Sequence, residues 1–100
     1  MVKHIVFWTL KEEANGNSKS ENAAIIKQKL EGLKGKIEGL INIEVGIDFL
    51  NSPESMNLVL YSEFKNTQAL DYYQQHPLHK EIMPFIAEAR NERRVVDYEL

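Results

Sequence analysis

The tract Asp71-Tyr72-Tyr73-Gln74-Gln75-His76-Pro77-Leu78-His79 places two phenols and two of the chain's three imidazoles around one helix-breaking proline. A phenol titrates near about 10 and an imidazole near about 6.5, so at neutral pH the first holds a proton and the second can accept one. Together they could remove a proton beside a carbonyl and donate to the developing alkoxide, with no metal required. The third imidazole, His4, lies in the first apolar segment, where a titratable ring is costly to bury without a partner.

The elements that must position these groups follow from hydrophobic period. Val2 to Leu10 reads as a strand that is apolar on both faces, with His4, Val6, Trp8 and Leu10 on one and Ile5 and Phe7 on the other. Asn15-Gly16-Asn17 is turn chemistry, and Ser18-x-x-Glu21 matches a capping box. Ala23, Ile26, Leu30, Leu33 and Ile37 then form one helical stripe, ending near Lys36 among glycines. Ile41 to Phe49 alternates cleanly as a half-buried strand, with Ile41, Ile43, Val45, Ile47 and Phe49 on one side. After the turn cluster Asn51–Ser55, a second strand from Leu58 to Phe64 completes a hairpin.

Asn66-Thr67 caps a helix through Leu70 and Tyr73. Pro77 suits the first turn of another helix, where its missing N–H needs no partner, and Pro84 can bend that helix. Arg94 to Leu100 closes the chain as a strand. This order predicts one α+β domain over residues 1–100: a ferredoxin-like βαββαβ unit with a four-stranded antiparallel sheet and helices on one face. The other face stays apolar and uncovered, which predicts a homodimer packed sheet on sheet.

Composition narrows the partners. With 43% hydrophobic and 27% charged residues in 100, the chain fits a globular domain. The net charge is −3 and the basic residues are dispersed, so nucleic acid is not expected as a partner. Arg93-Arg94 reads as a solvated strand start. Without cysteine there is no disulfide, thiolate nucleophile or thiolate zinc site. No segment approaches the roughly 20 apolar residues of a membrane span, and a cytoplasmic protein without membrane contact is expected. Glu44, Asp48, Glu63, Asp97 and Glu99 sit on strands with no metal-ligand spacing, and they read as solvated edges or rim ion pairs.

Several segments together resemble the stress-responsive A/B-barrel (Dabb) family of dimeric α+β barrels: Val2-Lys3-His4-Ile5-Val6, Glu44-Val45-Gly46, the strand Leu58–Phe64, His76-Pro77-Leu78-His79 and Val96-Asp97-Tyr98. The resemblance covers nearly the whole chain. It implies a homodimer in which two sheets form a barrel with the helices outside. One plant member closes a linear polyketide by an aldol step without a cofactor, using a tyrosine and a histidine at the helix corner. Those positions fall on Tyr73 and His79, and a pocket histidine of the first strand falls on His4. A further pocket histidine falls on Leu58, which is apolar here.

The expected site is therefore Tyr73 and His79 as catalytic groups, with His4, Trp8 and Leu58 lining a substrate pocket and no cofactor. An unbroken helix would turn the directions of Tyr73 and His79 about 120° apart, so their convergence requires the backbone reset at Pro77. If His79 accepts the phenolic proton of Tyr73, the two form a working pair. Each also has a plainer role open to it: Tyr73 as a core-edge aromatic, His79 as a first-turn residue, His4 as a buried ring bonded to one acceptor. His76 reads as a helix-start residue that fixes the corner. Two functions follow, a small-molecule-binding cofactor-free lyase or cyclase and a non-enzymatic stability or interaction protein.

Overall fold

The computed structural model describes residues Met1–Leu100. Its elements are β1 (Val2–Leu10), β2 (Glu13–Ala14), β3 (Asn17–Ser18), α1 (Lys19–Glu31), β4 (Leu40–Ile47), β5 (Leu58–Phe64), α2 (Thr67–Gln75), α3 (Pro77–Ala89) and β6 (Arg90–Glu99). The four long strands form one antiparallel sheet in the order β4-β5-β1-β6. With β2 and β3 as a small added hairpin and the second helix divided into α2 and α3, this is the ferredoxin-like arrangement that the element order predicts.

The capping box forms: the Glu21 amide donates to Ser18 Oγ (3.2 Å) and the Ser18 amide to Glu21 Oε1 (2.9 Å). Buried Asn22 then ties the small hairpin to α1 by donating to the Ala14 carbonyl at 2.9 Å. The helix ends at Glu31, earlier than the apolar stripe predicts, with Gly32 as its C-cap and Gly35 in the left-handed region. Leu33 and Ile37 are buried nonetheless, because short turns carry the chain across the same core.

One sheet face carries the core. Val2, His4, Val6, Trp8 and Leu10 of β1 pack there with Leu58, Leu60, Ser62 and Phe64 of β5 and Ile43 and Val45 of β4. Ala23, Ile26 and Leu30 of α1, Tyr73 of α2 and Ile82 and Ile86 of α3 cover them.

Two departures concern strands. A bulge between Leu40 and Asn42 turns Ile41 outward, and β4 ends at Ile47, so the clean alternation to Phe49 is not realised and Phe49 is 95% exposed. β6 starts at Arg90, four residues before the sequence pattern predicts, because a second bulge lets the chain leave α3 directly into the sheet. The outer edge of β4 is closed by α1: Glu31 Oε2 accepts from the Val45 amide (3.0 Å) and Lys27 Nζ donates to the Val45 carbonyl (2.6 Å). Such capping blocks unwanted strand pairing.

Candidate active site

The corner between α2 and α3 is set by local chemistry. Asn66 caps α2 by accepting from the Ala69 amide (2.8 Å). After Gln75 the backbone leaves the helical region at His76 (ψ 136°), and Pro77 restarts it as the first residue of α3. His76 Nδ1 accepts from the Leu78 amide at 3.1 Å, so this imidazole is an N-cap and holds the corner, as expected. Half-exposed Tyr72 packs edge-on against it and faces away from Tyr73.

The reset turns His79 back onto Tyr73. Their ring centroids are 4.5 Å apart, and Tyr73 also lies against Phe64 (4.9 Å) and His4 (6.3 Å). Tyr73, His79 and His4 line one cavity of about 230 Å³ between the sheet and the helices. Its walls include His4, Val6 and Trp8 of β1, Leu60 of β5, Tyr73 of α2, His79 and Met83 of α3, and Arg90 and Arg93 of β6. Of the five side chains expected at the site, His4, Trp8, Tyr73 and His79 come together there.

Leu58 does not. It pairs with Trp8 at the far end of β1 and borders a separate recess with Phe7, Gly46 and Met56. The cavity is centred on Val6, whose cross-strand partner is Leu60, so Leu60 supplies the wall. A second correction concerns the pair itself. The Tyr73 hydroxyl is not hydrogen-bonded to His79; the two rings lean together at 55°, and Tyr73 Oη and His79 Nδ1 each lack a partner.

Three buried side-chain polar atoms in the protein lack any partner: Trp8 Nε1, Tyr73 Oη and His79 Nδ1. All three belong to residues lining this one cavity. Buried polar groups are otherwise nearly always hydrogen-bonded, so the cavity concentrates the molecule's unmet hydrogen-bonding capacity.

Electrostatics assigns the protons. Burial pushes the Tyr73 phenol well above its ordinary value of 10.0, so it stays a donor. Burial likewise depresses His79 below 6.5; the charges of His4 and Arg93 act in the same direction, and the Gln74 backbone carbonyl partly opposes them. At neutral pH, His79 is an uncharged imidazole able to accept a proton.

His4 is nearly fully buried, and its Nδ1 is bonded to the Asp97 carboxylate across the β1–β6 pair. That contact orients the ring and places a proton on Nδ1. The Ser62 hydroxyl fixes the same stretch by donating to the His4 carbonyl (2.8 Å). The sequence reading takes Asp97 for a solvated edge; its role depends on a strand register that residue spacing alone does not show. No three His, Asp or Glu side chains converge as a metal site would require.

The profile of the stress responsive A/B barrel domain matches residues 2–100, and the chain belongs to this Dabb family. Among solved structures it is similar to a dimeric protein of unknown function and ferredoxin-like fold from Bacteroides fragilis, at 36% identity and a TM-score of 0.86, over 99% of this chain and 95% of that one. A Dabb family protein with a ferredoxin-like fold from Mesorhizobium loti matches at 21% identity and a TM-score of 0.73, over 99% and 95% of the two chains. Hydroxynitrile lyase from Passiflora edulis matches at 16% identity and a TM-score of 0.82, over 99% and 92%. At the last two identities the likeness is one of fold. No protein with a curated description matches the chain. No helix is long and apolar enough to cross a membrane.

Proposed function

We propose that this protein binds a small carbonyl-bearing organic molecule in the cavity edged by His4, Trp8, Tyr73 and His79, and acts on it as a cofactor-free lyase or cyclase. The observation that carries this reading is that Trp8, Tyr73 and His79, which line one cavity, are the residues whose buried polar atoms lack a partner. A purely structural core has no use for them, which weighs against a non-enzymatic stability or interaction module.

The chemistry uses the protonation states described above. Neutral His79 takes a proton from the carbon beside the substrate carbonyl. The Tyr73 hydroxyl donates a hydrogen bond to the oxygen as it becomes an enolate. The enolate carbon then attacks a second carbonyl of the same molecule, closing a ring, or its electron pair expels a leaving group. The imidazolium returns the proton to the alkoxide or to the departing group. Trp8 Nε1 supplies a further donor, and His4 with Asp97 forms a second, oriented imidazole. That the Passiflora neighbour is a lyase shows this fold supporting such a reaction class in another protein.

The test is deuterium incorporation into β-diketones in D₂O, followed by proton NMR. The expected result is exchange above the buffer rate by the wild type, reduced about 100-fold or more in His79→Ala. Exchange at the buffer rate across the set would overturn the acid–base reading.

The same reading includes a homodimer. The sheet face opposite the helices carries partly exposed Ile5, Phe7 and Val59, with Val96 46% and Tyr98 42% exposed. Toward one end of the two central strands Lys3, Tyr61 and Glu63 bond one another, so this cluster can be covered without stranding a charge. A second copy packed sheet on sheet would cover the face.

A further inference from the structure

Arg90 and Arg93 are three residues apart on β6, and in a regular strand they would point to opposite faces. The bulge changes this. Arg90 pairs with Leu10 and Arg93 with Trp8, so three β6 steps span two on β1 and both arginines fall on the helix-facing side. The bulge is held in place by Thr9, whose hydroxyl accepts from the Glu92 amide at 3.0 Å. Bulges next to sites commonly re-aim side chains in this way.

Both arginines line the mouth of the Tyr73–His79 cavity, and neither forms an ion pair. The nearby carboxylates are engaged elsewhere: Asp97 with His4, Glu92 with Arg94. The interior beneath is largely apolar, closed by Val6, Leu60, Met83 and Ile86. Two unpaired guanidinium forks over an apolar chamber make an anion-recognising rim, in a chain whose net charge is −3.

We propose that the ligand is an organic carboxylate, held by Arg90 and Arg93 at the mouth with its apolar body and reacting carbonyl extending toward Tyr73 and His79. This rests on the reading of the cavity as a ligand site and adds the ligand's charge and orientation. A carboxylate suits the rim better than a phosphate dianion. Arg90 is the C-cap of α3, where the helix end is negative, and no cradle of backbone amides accompanies the arginines.

The experiment is calorimetric titration of the intact protein with 3-phenylpropanoate, 3-phenylpropanamide and phenyl phosphate, with His79 and Tyr73 ring resonances followed by NMR. The wild type is expected to favour the carboxylate over the amide by about tenfold, the worth of a charge-assisted contact. The Arg90→Gln/Arg93→Gln variant should lose that preference while still binding the amide, and Arg93→Lys should keep part of it. Because the preference is a ratio within one folded variant, a change in stability does not imitate it. Equal binding of acid and amide by the wild type, or a preference that survives the double substitution, overturns the carboxylate while the cavity reading stands. Tighter binding of phenyl phosphate than of the carboxylate replaces it with a phosphate ester. If none of the probes perturbs the ring resonances, the cavity reading fails and this inference with it.

Discussion

Tyr73 is fully buried, yet its hydroxyl meets no partner. A stranded buried hydroxyl costs about 1–3 kcal/mol, so Tyr73→Phe is expected to leave folding stability unchanged or raise it by about 1 kcal/mol while abolishing ligand binding. Urea denaturation checks the first half and titration the second; a tyrosine with a purely structural bond would show the reverse pattern. His79 provides a pH signature. Its folded value lies below the unfolded 6.5, so the unfolded chain binds the extra proton first. The corresponding stability is present above 6.5 and is lost as pH falls through the lower folded value. His79→Gln should flatten that acid limb of the stability curve. Tyr73 acts at the other end: its raised value means stability present below 10.0 and lost as pH climbs beyond it. At this scale the four clustered residues were legible from the corner motif and the first strand. Leu60 and Asp97 were not, because their places follow from cross-strand register.

The elements show the same division between what is local and what is not. The Ser18–Glu21 capping box, the Asn66 cap and the Pro77 start are encoded within a few residues, and each forms where those residues stand. The bulges near Ile41 and between Arg90 and Arg93 answer to the neighbouring strand, and periodicity along one segment carries no trace of them. The second bulge matters most, since it converts an apparent solvated doublet into part of the cavity mouth. The start of α2 also leans on Gly39, in the left-handed region with a φ of 86°, where an added Cβ would come within 2.5 Å of the Ala69 Cβ. Gly39→Ala is expected to destabilise the fold by about 2 kcal/mol or more through contact and backbone strain together. Adding Ala69→Gly should recover the contact part alone, which a chemical-denaturation double-mutant cycle would measure.

Across the whole molecule, the cavity is built by strands from both ends of the chain and by both helices of the corner, so ligand occupancy is linked to global folding. The uncovered sheet face sets the assembly. Light scattering at micromolar concentration is expected to give the mass of a dimer for the wild type and of a monomer for Phe7→Glu, which places a charge on that face. The α+β order was readable because each element carries a strong period; the depth of the cavity was not, because it depends on how far α3 stands from the sheet. The most direct test of the account is a thermal-shift screen of small carbonyl compounds and phenols on the wild type, Tyr73→Phe and His79→Ala. Binding to the folded state raises the melting temperature by mass action. The expected result is a compound that stabilises the wild type and loses its effect in both folded variants. Equal stabilisation of all three proteins, or of none by any compound, would contradict a site built on Tyr73 and His79.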